Sequence, residues 1–345
     1  MVRWMDHAAK DRFQALLIEG RLSALDITDQ LAASAKSTEM LFNADHLHPL
    51  ARVMTIQKYK RLEILGSVVE FTRERETNIV SITASHSSQL PPTYTERWLS
   101  QPLRIMFGQR VQPRLLARNK GGEAIIFILA PPRLEIASWS AFWTDEPSNV
   151  DSFFDCYSKL LTVIALARDL SGEVHSITRL YDELAEVANA SRWVMALTLA
   201  GCTEGFEKLL RPKMTADEFG EEAQSKEADE LAEAIEKLKG ADALKKRAIQ
   251  AIQLTKGAST ARTLRALQRR GVITPEQYGA WNDVRNRVMH GNLVSPYSNE
   301  DEDNQFSHLI AIVRALTREL INRSCASLAS TSPGMIGEPD RGLRP

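Results

Sequence analysis

One segment of the sequence combines side chains that could cleave a phosphodiester bond. Asn282, Asn286 and His290 are spaced by four, so a helix would place them on one side. Arg285 flanks that polar side, and Gly291 can end the helix in the left-handed conformation. A histidine side chain exchanges protons near neutral pH, and an arginine offers phosphate oxygens a planar, permanently charged fork. Since RNA supplies its own nucleophile, the 2′-OH, these residues predict RNA cleavage without a metal.

The same residues allow a structural interpretation. A histidine at a helix end, as predicted for His290, could simply cap backbone carbonyls, and the helix dipole favours it there. Cleavage also needs both a base and an acid, whereas each chain supplies one such histidine. Two copies related by a two-fold axis would bring two histidines to one cleft. The catalytic interpretation therefore predicts a homodimer.

The arrangement of these residues resembles a family signature. Arg285, Asn286 and His290 form R-N-x-x-x-H, which is similar to the R-[N/D/H]-x₃-H motif of the HEPN superfamily, the higher eukaryotes and prokaryotes nucleotide-binding domains. Domains of this family are bundles of four or five helices in which the motif lies late, just before the final long helix. The predicted helix order over roughly residues 176–325 is similar. Glu204 resembles the acidic residue that many members carry near the end of an early helix.

The resemblance implies a function and a set of roles. Members include metal-independent, dimeric ribonucleases of toxin–antitoxin and phage-defence (abortive infection) systems. Carried over to this chain, Arg285 and His290 are catalytic, Asn286 orients the histidine or the phosphate, and Glu204 belongs to the same site. The implied partners are an RNA substrate, a second copy of the chain, and an antitoxin or a phage-derived trigger.

Two alternative functions stay open. Some HEPN domains have lost activity and serve as RNA-binding, partner-binding or dimerisation modules. Others accompany nucleotidyltransferases, although this sequence has no Gly-Ser pair followed by spaced aspartates that would supply such an active site. Cleavage that disappears on substitution of Arg285 or His290, while RNA binding survives, would separate the enzyme from the binding module.

Charge is distributed unevenly in the second half of the chain. An acidic stretch at residues 217–236 is followed by a basic region at residues 245–287. A surface of arginines can follow a phosphate backbone. The predicted RNA contacts in this region are Arg269, Arg270, Asn282 and Arg287. The alternative is a pair of ordinary solvated helix faces.

The hydrophobic pattern predicts an α+β fold in four parts. These are an N-terminal helical segment at 1–45, with a second helical piece at 31–40, a small α/β domain at 46–146, a HEPN-like helical bundle at 147–325 and a disordered tail at 326–345. In the α/β domain we expect strands at 68–72 and 79–83, a helix at 94–107, and a hairpin of strands 113–118 and 124–129. In the bundle we expect helices at 153–168, 176–210, 223–254, 261–268 and 306–321, and the motif helix from Thr274. By analogy, the α/β domain would be a sensor or regulatory module.

The composition excludes several classes of protein. The chain has 345 residues, of which 43% are hydrophobic, with 43 basic and 44 acidic side chains. These values are typical of a folded globular protein rather than a disordered or fibrous one. No apolar stretch approaches the roughly 20 residues of a membrane span, and the N-terminus lacks a secretory pattern. The three cysteines form no metal framework. We therefore expect a cytoplasmic protein with no metal, no other cofactor and no membrane partner.

Overall fold

A computed structural model of the chain describes residues 36–44, 48–74, 78–119, 124–128, 139–146, 148–167, 174–219, 221–256, 259–292 and 294–330. The described part is α+β, as the sequence predicts, with a sheet in the N-terminal half and helices in the C-terminal half. The chain divides into two compact units, Met1–Asn189 and Ala190–Pro345. The helix predicted before residue 31 and the tail predicted beyond residue 330 lie outside the described residues.

The first unit contains an antiparallel sheet of six described strands in the order β2-β3-β4-β1-β5-β6. The strands are β1 (Ser37–Asn43), β2 (Tyr59–Ile64), β3 (Ser67–Glu74), β4 (Ile79–Ser85), β5 (Leu115–Asn119) and β6 (Ala124–Ile128). In β4, Val80, Ile82 and Ala84 are completely buried, which is the period-two pattern of a strand with one face on a core. Strands β3 and β4 and the β5–β6 hairpin confirm the sequence predictions.

Strand β1, in the middle of the sheet, contradicts the last four residues of the helix predicted at residues 31–40, and residues 31–35 lie outside the described part. Met40 pairs with Ile82 of β4 and with Leu116 of β5, and it is completely buried. A short apolar run that is buried on both sides has no clear period, so periodicity does not distinguish a central strand from a helix. Strand β2 lies at a sheet edge, where charged residues replace the apolar pattern that predicts a strand.

Four described helices belong to the sheet unit: α1 (His48–Ile56), α2 (Pro92–Phe107), α3 (Val150–Leu166) and α4 (Ser176–Glu186). Phe71 of β3 packs edge to face against Phe154 and Tyr157 of α3, with ring centroids 5.1 and 4.9 Å apart. The Tyr157 hydroxyl donates to the Leu99 carbonyl of α2 at 3.0 Å. Helix α3 is therefore part of the core of the sheet unit.

The helical unit begins later than the predicted boundary at residue 147. The sequence analysis assigns helices 153–168 and 176–210 to one bundle, but α3 and α4 both pack on α2, and the division falls after Asn189. A short 3₁₀ turn, Val187–Asn189, interrupts the predicted 176–210 helix, and the Ser191 side chain caps the helix that follows. An apolar helix face indicates that a helix is buried but not which neighbour buries it.

Seven helices are described in the second unit: α5 (Arg192–Leu210), α6 (Ala216–Phe219), α7 (Glu221–Lys237), α8 (Asp242–Lys256), α9 (Thr260–Arg269), α10 (Pro275–Met289) and α11 (Glu300–Ser330). Helices α5, α10 and α11 pack against one another, and α9 contacts α5 and α10. The predicted 223–254 helix is divided at residues 238–241, where Gly240 weakens helix formation. Because α11 continues through Ser330, the first five residues of the predicted disordered tail are helical. None of the described helices is both long and apolar enough to cross a membrane.

Candidate active site

Helix α10 carries the Arg-to-His motif, and local signals define both of its ends. At its start, the Thr274 hydroxyl accepts from the Gln277 N–H at 3.3 Å, and the Gln277 side chain accepts from the Thr274 N–H at 2.9 Å. This capping box is followed by Pro275 in the first helical position. At the other end, His290 is the C-cap and Gly291 has a φ of 72°. The prediction of a motif helix that starts at Thr274 and ends at His290 is confirmed.

One side of α10 is buried and the other carries the motif. The buried residues of α10 are Ala280, Trp281, Val284 and Val288. On the other side Asn286 and His290 are exposed, and Asn282, one turn earlier, is half-buried. The His290 N–H donates to the Asn286 carbonyl at 3.2 Å, so the two residues occupy consecutive turns at the open end of the helix. The spacing of four therefore identifies the exposed side correctly.

Arg285 reaches from α10 to α5. Its Nε atom donates to Oε1 of Glu204 at 2.7 Å, and its guanidinium carbon lies 5.7 Å from the centre of the Trp281 ring. The side chains of Arg285 and Glu204 keep 39% and 29% of their surface exposed. No hydrogen bond joins the two terminal nitrogens of Arg285 to any residue that the structure describes. The pair thus fixes the guanidinium and leaves two donor nitrogens that could bind a phosphate.

The ion pair unites two residues that lie 81 positions apart in the sequence. Thr203 and Phe206 are completely buried on α5, so Glu204 lies at the margin of the core, close to both solvent and α10. The packing of α5 against α10 then brings its carboxylate to Arg285. Glu204 and Arg285, which the family resemblance assigns to one site, are in direct contact.

Arg287 belongs to a network of ion pairs. Its Nη1 atom donates to Oε1 of Glu302 on α11 at 2.9 Å, and the Glu302 side chain is only 14% exposed. Nη2 of Arg192 lies 3.5 Å from the same carboxylate, and Nε of Arg192 donates to the Ser295 carbonyl at 3.1 Å. These bonds tie the loop after α10 to α5 and α11. A contact between Arg287 and RNA stays a prediction, because the observed partner is a carboxylate.

The other two predicted RNA contacts lie near the opposite end of α10. Arg269 and Arg270 end α9, directly before the loop that leads into α10. Arg270 pairs with Glu218, and Nη2 of Arg269 donates to the Phe219 carbonyl at 3.4 Å. A helix of 15 residues is about 22 Å long. The structure therefore does not bring these two arginines next to His290.

The loop after the motif contains an aromatic residue that the motif does not include. Tyr297 is 79% exposed, and its N–H donates to Oγ of Ser295 at 3.2 Å. Ser295 is held on two sides, since its N–H donates to Glu302 at 3.4 Å and its carbonyl accepts from Arg192. An exposed ring on an anchored loop is suited to stacking on a base. The signal in the sequence is one aromatic residue in a polar loop directly after the motif.

Comparisons of the chain with protein-family models, with curated proteins and with solved structures give no match. The resemblance to the HEPN superfamily therefore depends on three features of the chain itself. These are the motif in α10, the contact of Glu204 with Arg285, and the position of α10 before the final long helix α11.

Proposed function

We propose that the chain is a metal-independent endoribonuclease of the HEPN type that acts as a toxin or phage-defence effector. The observation that carries the proposal is the ion pair between Glu204 and Arg285. It holds a guanidinium within the last two turns of α10, and His290 lies exposed at the end of the same helix. An oriented arginine can stabilise the charge on the phosphate, and an accessible histidine can transfer a proton, so each chain supplies two of the side chains that the proposed cleavage uses.

The reaction uses the nucleophile of the substrate. A base takes the proton of a ribose 2′-OH, the 2′ oxygen attacks the adjacent phosphorus, and an acid gives a proton to the departing 5′ oxygen. His290 of one copy is the base and the partner's His290 is the acid. The terminal nitrogens of Arg285 donate to the phosphate oxygens, whose negative charge grows in the transition state. Glu204 positions Arg285, and Asn286 orients the imidazole or the phosphate.

The same proposal assigns partners and a compartment. As an effector that cleaves cellular RNA, the protein works in the cytoplasm as a homodimer, and it needs neither a metal nor another cofactor. An antitoxin or a phage-derived trigger controls it, with the N-terminal sheet unit as the sensor or regulatory part. The exposed ring of Tyr297 offers a stacking surface for a base next to the cleaved bond.

Cleavage of total cellular RNA by the purified full chain in EDTA tests the proposal. The wild type is expected to fragment the RNA, and His290→Ala and Arg285→Ala are each expected to lower the rate by about 10²-fold or more. His308→Ala is the matched control, because His308 is a half-buried histidine of α11 outside the motif. Equal melting temperatures of the variants and the wild type would show that the loss is chemical rather than structural.

A second candidate is a non-catalytic module that binds RNA or a partner. The ion pairs of Arg285 with Glu204 and of Arg287 with Glu302 favour this candidate, because each carboxylate competes with a phosphate. Intact RNA in every lane, together with RNA binding in a mobility-shift assay, would support the module over the enzyme. Cleavage that persists in His290→Ala, or that EDTA abolishes, would contradict the proposed mechanism.

A further inference from the structure

Helices α7 and α8 form a hairpin in which the two helices pack mainly on each other. They are joined by the short turn at residues 238–241 and are therefore antiparallel. Ala228 and Ala232 on α7 are 7% and 8% exposed and mark the seam between the helices. Ile249 and Ile252 are among the half-buried residues on the α8 side. Every other hairpin side chain that the structure describes is half-buried or exposed.

Three leucines of the hairpin lie outside this seam. Leu231, Leu238 and Leu244 are 53%, 61% and 67% exposed. Leu231 lies about a quarter turn from the seam on α7, whereas Leu238 is the first residue of the turn that follows α7. On α8, Leu244 also lies about a quarter turn from the seam. The direction of rotation about the helix axis is the same as that from the α7 seam to Leu231. Because the helices are antiparallel, equal rotations bring Leu231 and Leu244, the leucine strip, to one face of the hairpin.

The two helices carry opposite charge. Helix α7 has seven acidic residues and two basic ones, whereas α8 has four basic residues and one acidic one. By helical position, Glu230 lies at the outer margin of the leucine strip on α7 and Arg247 at its outer margin on α8. Among the described residues Arg247 forms no ion pair, and Glu230 has Lys226 as its partner at 3.9 Å. Each margin therefore presents a charge that a partner of opposite charge can neutralise.

We propose that a second copy of the chain docks on this face, with the two leucine strips in contact and each α7 over the partner's α8. A two-fold axis in the contact plane, parallel to the helices, produces this arrangement and closes the dimer. It brings Glu230 to within about one helical turn of the partner's Arg247, which the two side chains can span. An axis perpendicular to the helices would instead stack the two acidic α7 helices, and like charges there oppose association.

The size of this face predicts a weak, concentration-dependent dimer. Two helices of about 15 residues side by side form a surface about 22 Å long and about 20 Å wide. Two such faces bury on the order of 900–1,000 Å², at the lower end of specific interfaces. An interface of this size is typical of weak, transient association, so we expect the dimer to form only at high protein concentration.

This contact surface is separate from the candidate site, because α7 follows Phe219, which Arg269 contacts near the end of α10 that is opposite His290. The inference therefore stands independently of the proposed function. Its test measures mass and not RNA cleavage. A dimer without cleavage, or cleavage without this dimer, would therefore separate the two proposals.

Sedimentation velocity of the full chain over about 1–200 µM tests the proposal. The wild type is expected to shift from the mass of a monomer to that of a dimer as its concentration rises. Leu231→Glu places a charge in the contact once per copy and is expected to raise the dissociation constant at least about 10-fold. The exposure of Leu231 means that this change leaves the fold intact, which far-UV circular dichroism checks.

A charge-swap pair tests the orientation. Arg247→Glu and Glu230→Arg each bring like charges together at both margins, so each is expected to weaken self-association about fivefold or more. An equimolar mixture of the two variants restores both opposite-charge pairs and is expected to dimerise again. Lys246→Glu is the matched control, because it makes the same charge change on the opposite side of α8.

Three results would overturn the proposal. If the chain is monomeric at every concentration, the leucine strip does not bind a second copy. A dimer that Leu231→Glu does not weaken would use another surface. A mixture of the two charge-swap variants that stays monomeric, while the Lys246→Glu chain dimerises, would rule out the packing of α7 on the partner's α8.

Discussion

Glu204 and Glu207 lie one turn apart on α5, but their surroundings are opposite. Glu207 is completely buried and accepts from Arg211 at 2.6 and 2.7 Å and from the Thr263 hydroxyl. Glu204 is 29% exposed, and its observed partner is Nε of Arg285. A buried carboxylate whose bonds are complete stabilises the packing of helices. A carboxylate that holds an arginine at the surface leaves donor nitrogens of that arginine for a ligand. Burial and the number of hydrogen-bond partners therefore distinguish a structural carboxylate from one in a candidate site.

The largest expected effect is on stability, at Glu207. Glu207→Ala is expected to lower the free energy of unfolding by about 2–4 kcal/mol, because it removes the buried carboxylate that accepts from the Thr263 hydroxyl and from the Arg211 guanidinium. The value lies toward the low end for a broken buried pair, since Arg211 is 30% exposed and can regain water. Glu204→Ala is expected to cost less than about 1 kcal/mol. Urea unfolding of both variants measures the difference.

RNA cleavage should reverse the order of these two variants. At a temperature where all proteins are folded, Glu204→Ala is expected to reduce cleavage about 10-fold or more, since Arg285 loses its orientation. Glu207→Ala should retain most of its rate under those conditions. The distinction between the two carboxylates would be wrong if Glu204→Ala and Glu207→Ala lost the same amount of stability. It would also be wrong if Glu204→Ala cleaved RNA at the wild-type rate.

The site illustrates which features the sequence can predict. The ends of α10 are encoded locally, by the capping residue Thr274 and by Gly291, so both could be predicted. The exposed side of the helix follows from the spacing of its polar residues. By contrast, the contact of Glu204 with Arg285 spans 81 positions. No periodicity encodes such a contact, and it was suggested by the family resemblance alone.

The errors have physical causes as well. Strand β1 lies at the centre of the sheet with apolar residues buried on both sides, so its pattern lacks the alternation of a strand with one exposed face. Helices α3 and α4 have apolar faces like those of a bundle helix, but these faces pack within the sheet unit. The ion pair of Arg287 with Glu302 depends on how the loop after α10 returns to α11, which local sequence does not determine.

A smaller effect is expected from Arg287, the other arginine in the last two turns of α10. Arg287→Ala should lower cleavage about threefold to tenfold by loosening the loop that carries Tyr297, whereas Arg285→Ala removes a direct phosphate contact and should cost about 10²-fold. Parallel rate measurements on the two variants compare an arginine whose carboxylate partner is 14% exposed with one whose partner is 29% exposed. If Arg287→Ala is as damaging as Arg285→Ala, then Arg287 also contacts RNA, and its ion pair must open when the substrate binds.

The smallest expected effect concerns Asp303, which belongs to the same network. The Ser298 hydroxyl and the Arg192 guanidinium hold the pKa of this carboxyl below its usual range. Since the pKa is lower in the folded chain, the contribution to stability is present above the ordinary carboxyl pKa and is lost as the pH falls through the folded value. Asp303→Asn should therefore lower the melting temperature slightly at neutral pH, with a difference that disappears in acid. Asp301→Asn, at the same end of α11, is the control for the helix dipole, because both substitutions remove a negative charge there. If Asp303→Asn and Asp301→Asn lower the melting temperature equally at every pH, the effect is due to the helix dipole and not to the network.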